Sequence, residues 1–378
     1  MKRFPNLPTQ PQLTSEAFYK NGMEVLEGFE LFRESMSVLG RPIRAYVRGK
    51  GGIRVLIWTQ MHGDESASTF AVVDFLHDLQ QNTTDRIWDK VTLCVVPILN
   101  PDGAAAYTRY NGLGVDLNRD ARHLTSPESA FLVSLATDFK PHWAFNMHDQ
   151  RTIFAAGDTN NPATLALLAP SMSETYTGSV MHRKRAIALI GSAVSQLPKP
   201  FYSNIARFDD AFYPLAMGDF FQEKGIATVL VEVGGSENII RHSGRTLAAR
   251  FLKEALMVIL NPSAQVWHSA PGTYESLPPN TNRLRDIIFA NANIDHHIVD
   301  VAVQLRYNPI REAWDMVCDT VGKIDYYEAY IRIELADSPS LNSRQWRFSI
   351  GETFELPSEW ETFWKEQNFA SYQWVYSS

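Results

Sequence analysis

The chain has 378 residues, of which 45% are hydrophobic and 20% are charged, values typical of folded globular chains and not of disordered ones. Its 35 Lys and Arg residues stand against 42 Asp and Glu residues, and the net charge of −7 disfavours nucleic acid and anionic membranes as partners. The length exceeds that of one average domain, so we expect a large domain and a smaller one.

Targeting and redox signals are weak in this chain. No apolar stretch approaches the roughly 20 residues that a membrane span needs. Residues 1–8 carry no apolar run of the kind found in secretory signals, which predicts a cytoplasmic protein if this is the native start. Cys94 and Cys318 lie far apart in sequence, so we expect core residues and neither a disulfide nor a cysteine metal site.

The first two-thirds of the chain alternates strand and helix patterns. Residues 41–47 and 53–57 flank Gly51 and Gly52 and predict a β-hairpin. The elements predicted after it are a helix, a strand, a helix, two strands and a helix, at about residues 66–79, 91–99, from 126, 142–147, 227–233 and 245–260. We therefore expect an α/β domain over residues 1–262, with a mixed open sheet and helices on both faces.

The last third reads differently. Residues 261–280 are proline-rich and aperiodic, which predicts an irregular linker at the start of a second region, residues 263–378. Residues 298–305 and 329–335 are rich in β-branched side chains and predict a small β-rich domain of unknown role. We interpret the tail tryptophans as core residues, with a ligand-stacking surface as the alternative; they are Trp346, Trp360, Trp364 and Trp374.

Two predicted strands end in side chains that can bind a metal. His62 and Glu65 follow the strand at residues 53–58, and His148 closes the strand at residues 143–147. Because ligands bind at the carboxyl ends of strands in open α/β sheets, these side chains can meet, and such a set suits a hydrolytic Zn²⁺. Each motif alone also fits a structural role, as a solvent-facing turn or a hydrogen-bonded core histidine.

Further motifs make the pattern specific. Residues 100–103 read Asn-Pro-Asp-Gly, residues 109–120 contain an Asn-Arg pair, and Glu232 interrupts the end of an apolar strand. Taken alone, Glu232 is equally well explained as the buried partner of an arginine. Together with the lead-in at residues 37–43, these ordered motifs resemble the zinc carboxypeptidase family of carboxypeptidase A over roughly the first 260 residues.

The resemblance implies a catalytic centre. One Zn²⁺ per chain would be bound by His62, Glu65 and His148. Glu232 would act as the general base for a zinc-bound water that attacks the scissile carbonyl. Arg109 would stabilise the developing oxyanion.

The resemblance also implies a substrate with a free carboxylate. Asn118 and Arg119 would bind that carboxylate, which directs hydrolysis to a chain end. Tyr213 is the candidate for the family's mobile tyrosine, with Tyr202 as the fallback. The expected function is that of a zinc metallocarboxypeptidase acting on a peptide or peptide-like substrate.

Some points stay open at this stage. The interval of 83 positions from Glu65 to His148 is shorter than in digestive members, which keeps a murein peptide amidase or an N-acyl amino acid deacylase of the desuccinylase and aspartoacylase type as alternatives. A non-catalytic zinc-site binding protein is an alternative of another class. Asp102 and Asp116 are interpreted as turn residues. Composition indicates neither the preferred terminal residue nor the oligomeric state.

Overall fold

A computed structural model describes residues 4–7, 11–82, 85–171, 181–235, 242–261, 264–294 and 296–335, with short pieces at 350–351, 353–354, 356–357 and 376–377. The chain divides into two compact units. The first comprises Met1–Arg151 and Asn161–Asn280, and the second comprises Thr152–Asn160 and Thr281–Ser378. The four tail tryptophans lie outside the described residues.

The first unit contains eight α-helices and eight strands of one sheet among its described residues. The helices are α1 Ser15–Asn21, α2 Ser66–Asn82, α3 Pro101–Ala106, α4 Pro127–Phe139, α5 Met181–Gln196, α6 Met217–Glu223, α7 His242–Leu260 and α8 Ala264–Glu275. The strands are β1 Glu30–Met36, β2 Pro42–Arg48, β3 Ile53–Trp58, β4 Val91–Val96, β5 Trp143–Asp149, β7 Leu165–Leu168, β8 Ile205–Arg207 and β9 Ala227–Val233. A further short strand, β6 Phe154–Ala156, belongs to the second unit.

The sheet of the first unit is mixed, in the order β1-β2-β4-β3-β5-β9-β7-β8. Its centre, formed by β4, β3, β5 and β9, is parallel, whereas β2 and β7 run antiparallel to their neighbours β4 and β9. Because side chains alternate along a strand, β5 directs Phe145 to one face and Ala144 to the other. Helices α2, α5 and α7 bury the first face, and α4 and α6 bury the second. This confirms the predicted α/β class.

The predicted β-hairpin is wrong. Strand β4 lies between β2 and β3, antiparallel to the first and parallel to the second. The connection passes over the start of β4, where a Cβ atom on Gly51 would lie 1.8 Å from the carbonyl carbon of Lys90. The glycines that suggested a tight turn therefore permit a close backbone crossing instead.

The segment interpreted as an irregular linker contains helix α8, which belongs to the first unit and packs on α5. The two helices approach closely at Gly191, where a Cβ atom would lie 1.8 Å from the carbonyl oxygen of Ala270. Pro271 lies inside α8, and its presence masked the helix in the sequence pattern.

The second unit is β-rich, as predicted. Its strands are β6, β10 Asn280–Asn282, β11 Leu284–Ile294, β12 His297–Asn308, β13 Ala313–Gly322, β14 Glu328–Glu334, β15 Thr353–Phe354, β16 Leu356–Pro357 and β17 Tyr376–Ser377. The main sheet has the order β14-β11-β12-β13-β15, with β11 parallel to β14 and antiparallel to β12. Both of its faces carry buried apolar side chains, among them Phe289 on one and Ile288 on the other.

Among the residues that the structure describes, none of the helices combines the length and the apolar character required to cross a lipid bilayer.

Candidate active site

The candidate site lies where three central strands of the first unit end. His62 and Glu65 follow β3, His148 is the penultimate residue of β5, and Glu232 is the penultimate residue of β9. His148 and Glu232 are direct partners in the parallel register of β5 and β9. The sheet therefore places an imidazole and a carboxylate side by side.

The turn that carries His62 is held by its neighbours. The backbone N–H of Asn100 donates to the carbonyl of Gln60 (3.0 Å), and the Asn100 amide donates to the carbonyl of Met61 (3.2 Å). Gly63 fits because it has no side chain, since a Cβ atom there would lie 1.9 Å from the carbonyl carbon of Gly103. The Asn-Pro-Asp-Gly motif thus fixes the path of the loop between His62 and Glu65.

The two histidines converge on Glu65. Nδ1 of His62 lies 2.7 Å from Oε1 of Glu65, and Nδ1 of His148 lies 2.8 Å from Oε2. One ligand atom from each residue lies within 4.8 Å of the others, and both histidines are buried. In the described part of the chain this is the one group of three such side chains that could hold a metal ion.

The outer nitrogen of His62 faces a carboxylate. Nε2 of His62 lies 3.1 Å from Oδ1 of Asp116, and Nε of Arg109 donates to Oδ2 of the same side chain at 3.0 Å. A proton on Nε2 leaves the Nδ1 lone pair available to a metal, an arrangement common among metal-binding histidines. Asp116 caps the turn at Leu117, as interpreted, and the structure adds its contact with His62, which no local sequence pattern indicates.

The two histidines of the cluster differ in charge preference, because burial lowers the pKa of His148 whereas that of His62 is raised. Burial opposes protonation of His62, but the carboxylates of Glu65 and Asp116 outweigh it and raise the pKa of His62 to about 9. Burial also disfavours the charged forms of the two carboxylates, yet the neighbouring histidines hold the pKa of Glu65 low, and His62 and Arg109 do the same for Asp116. The site therefore holds two carboxylates ionised in a buried setting.

Glu232 differs from those two carboxylates. Burial, followed by the negative charge of Glu65, raises the pKa of Glu232 well above its ordinary value. Two carboxyl groups with pKa values displaced in opposite directions are typical of sites in which one binds and the other transfers a proton.

Arg109 reaches the same cluster. Its Nη1 lies 3.2 Å from Nδ1 of His62 and 3.6 Å from Oε1 of Glu65, and its side chain keeps 38% of its surface exposed. A guanidinium that is partly exposed beside the candidate ligands can also donate to a bound molecule.

Asn118 and Arg119 lie in the short 3-10 helix Leu117–Arg119, which Asp116 caps. Oδ1 of Asn118 accepts a hydrogen bond from the N–H of Met217 at the start of α6 (2.9 Å), so its amide nitrogen is turned away from that contact. The guanidinium of Arg119 lies 5.1 Å from the ring centroid of Tyr213, which is 47% exposed. Tyr202, in contrast, donates to the carbonyl of Ser195 on α5.

Comparison with known proteins finds relatives for part of the chain. Residues 31–180 match the family described as zinc carboxypeptidase. Probable carboxypeptidase 2 of Arthroderma benhamiae is 33% identical over 113 residues, which is 29% of this chain and 21% of that protein. Carboxypeptidase 2 of Trichophyton rubrum is 31% identical over 113 residues, 29% of this chain and 20% of that protein.

Solved structures of similar fold are also metallo-carboxypeptidases. The metallo-carboxypeptidase of Burkholderia cenocepacia superposes on this chain with a TM-score of 0.53 at 17% identity. The match covers 66% of this chain and 70% of that protein. That of Pseudomonas aeruginosa, determined with (2-guanidinoethylmercapto)succinic acid, has a TM-score of 0.53 at 16% identity, with the same shares covered. The chain matches only about a fifth of the length of its curated relatives. The solved structures support the fold.

The zinc carboxypeptidase family implies zinc, and the side chains present here fit that ion. Two imidazole nitrogens and one carboxylate are the donors that a catalytic Zn²⁺ uses, and they converge here on one point. The family segment contains His62, Glu65 and His148, whereas Glu232 and Tyr213 lie beyond it.

One further residue, next to His148, helps to position the site. Asp149, the residue after His148, accepts hydrogen bonds from the N–H groups of Ala67 (2.6 Å) and Ser68 (2.7 Å) in the first turn of α2. Its own N–H donates to Oε2 of Glu65 (3.2 Å). Asp149 therefore ties the end of β5 to the helix that begins directly after Glu65. Asp102, by contrast, holds the loop at Ser37 and Leu39 and is structural, as interpreted.

Proposed function

We propose that this chain is a zinc-dependent metallocarboxypeptidase that hydrolyses the C-terminal peptide bond of a substrate with a free carboxylate. The observation that carries the proposal is the convergence of His62, Glu65 and His148 on one point, with Glu232 beside His148 in the strand register. A binding protein would need no group placed to transfer a proton at that position.

Three side chains would bind the ion, namely His62 and His148 through Nδ1 and Glu65 through its carboxylate. Zinc bound there would polarise the scissile carbonyl and lower the pKa of a water molecule. Asp116 would keep His62 in the tautomer that leaves Nδ1 free.

Glu232 would take up a proton from the attacking water and deliver it to the leaving amine. Its burial supports this role, because a carboxyl group with a raised pKa accepts a proton more readily than an exposed one. Arg109 would donate to the oxygen on which negative charge develops, since its guanidinium already lies beside the ligand cluster.

Selectivity for a chain end would come from Arg119 and Asn118. The guanidinium of Arg119 is stacked near Tyr213, and the amide nitrogen of Asn118 is free of the contact that its oxygen makes with Met217. A guanidinium and an amide donor together match a carboxylate.

The test offers the zinc-loaded full chain peptides that differ only at the C-terminus, as free acid or amide, together with murein peptides and N-acyl amino acids. We expect mass spectrometry to show loss of one residue from the free acids only, and none with Glu232→Gln. Asn118→Asp keeps the acceptor for Met217 but places a negative charge near the substrate carboxylate, so we expect kcat/KM to fall by about 100-fold.

Other results would overturn the proposal. Cleavage confined to murein peptides or N-acyl amino acids would favour the amidase or deacylase. Zinc binding without any cleavage would favour a binding protein.

A further inference from the structure

Two buried polar side chains on one face of the sheet have no hydrogen-bond partner within the described residues. Both Oδ1 and Nδ2 of Asn146 are unsatisfied, and so is Nε1 of Trp58. Each of the two residues has 0% of its surface exposed. Buried amides are nearly always hydrogen-bonded because an unmade bond is costly, so an amide with both atoms unsatisfied calls for a partner, which a bound substrate can supply.

Asn146 lies directly below the candidate catalytic residues. It precedes His148 by two positions on β5, so the two side chains are on the same face, about 7 Å apart along the strand. On β9 its register partner is Leu230, two residues before Glu232, and on β3 its partner is Trp58. The unsatisfied amide thus belongs to the face that carries the candidate catalytic pair.

Helix α6 bounds this face from the other side. Its first residue, Met217, donates to Asn118, and the next residue is Gly218. A Cβ atom on Gly218 would lie 3.6 Å from Nδ2 of Asn146, so no side chain of that residue covers the amide. Asn146 therefore lies close both to His148 and to the start of α6, where Met217 contacts Asn118.

We infer that Asn146 determines specificity by contacting the side chain of the substrate's C-terminal residue, and that it selects an uncharged hydrogen-bonding side chain, an amide above all. The inference rests on the proposed function. A substrate bound through its carboxylate at Asn118, with its scissile bond at the ligand cluster, directs its terminal side chain towards the face between them.

The chemistry of Asn146 defines the selection. Its amide offers two donors and one acceptor, and a terminal Asn or Gln can satisfy both kinds of group at once. An aliphatic side chain of the same shape would leave the buried amide unsatisfied, and sites of this kind discriminate strongly against such analogues. We expect kcat/KM to favour a terminal Asn over its isostere Leu by about tenfold or more.

The experiment compares the zinc-loaded full chain with its Asn146→Leu variant on peptides of one sequence ending in Asn, Leu, Thr, Val or Lys. Wild type should prefer Asn over Leu and Thr over Val, and the variant should lose both preferences while still cleaving the Leu peptide. Equal Asn-to-Leu ratios in the two proteins would overturn the inference. Asp219, a buried acid that follows Gly218 in α6, is the alternative for a basic terminal residue. A preference for Lys that Asp219→Asn abolishes would therefore also overturn the inference, because it would assign selection to Asp219.

A second measurement does not depend on turnover. Replacing an unsatisfied buried amide by its apolar isostere should leave the melting temperature of the zinc-loaded protein equal or higher. A clear fall would show that Asn146 has a structural partner, and the inference would fail. Failure of the proposed function is seen separately, as no cleavage of any peptide by wild type.

Discussion

Asp149 offers the sharpest test of how the candidate zinc site is held. Its two carboxylate oxygens accept from the N–H groups of Ala67 and Ser68, and its own N–H contacts Glu65. In Asp149→Asn one acceptor becomes a donor that faces a backbone N–H. A lost hydrogen bond to a charged acceptor costs about 1.5–3 kcal/mol, so the free energy of unfolding should fall by that amount. The lost charge also weakens the interaction with the start of α2.

The same change should weaken metal binding. Groups that orient metal ligands without touching the metal typically contribute 10–100-fold to affinity, so we expect the zinc dissociation constant of Asp149→Asn to rise by about tenfold or more. Competition with a chromogenic chelator measures this constant. Urea unfolding in excess chelator measures the free energy of unfolding of the zinc-free protein separately.

Asp120 supplies a matched control. Its carboxylate accepts from the N–H groups of Thr125 and Ser126 (both 2.9 Å) just before α4, and it makes no described contact with the ligand cluster. Asp120→Asn should lose similar stability yet keep the wild-type zinc affinity to within about twofold. If Asp149→Asn also kept that affinity, the view that Asp149 positions Glu65 would be refuted.

Three further measurements follow from the structure. Burial raises the pKa of Asp219 to about 7, so the folded chain retains a proton that the unfolded chain releases, and stability falls as pH rises from about 4 to 7. The free energy of unfolding of Asp219→Asn, measured in urea relative to wild type, should increase by about 1–3 kcal/mol between about pH 5 and pH 8. A difference that does not change with pH would contradict this. Arg245→Met leaves the buried Asp74 without its bidentate partner, which lies 2.5 Å from each carboxylate oxygen. The free energy of unfolding, measured in urea, should fall by about 3–5 kcal/mol, and adding Asp74→Leu should restore most of it. Zinc at about 100 times its dissociation constant should stabilise wild type by about 2.7 kcal/mol in thermal melts, and a similar gain in His148→Ala would argue against the ligand set.

The elements with strong local patterns were predictable. The apolar runs of β4, β5 and β9, the apolar helix α2 and the helix α7 were all expected near their observed positions. The hairpin failed because pairing is decided by a distant strand: β4 inserts between β2 and β3 from some 40 residues further on. Helix α8 was not predicted because Pro271 interrupts the helical pattern of its sequence. Packing on α5 outweighs the low helix propensity of that proline.

The candidate site likewise contains residues that were predictable from sequence and one contact that was not. The strand-end rule and the family resemblance together selected His62, Glu65, His148 and Glu232 from separate parts of the chain. The structure brings the first three into one cluster and pairs Glu232 with His148 in the strand register. No local pattern showed that Asp116 faces His62, since 54 residues separate them.

By itself the sequence therefore determined the α/β class of the first unit, the β-rich character of the second, and the residue types of the candidate metal site. Those properties depend on side-chain chemistry and on periodicity within one element. Only the tertiary structure decided that Asp149 holds α2 and that Asn146 lies unsatisfied beneath His148. Hydrogen-bond satisfaction depends on which distant atoms fill the space around a group, and that is known only once the elements are packed.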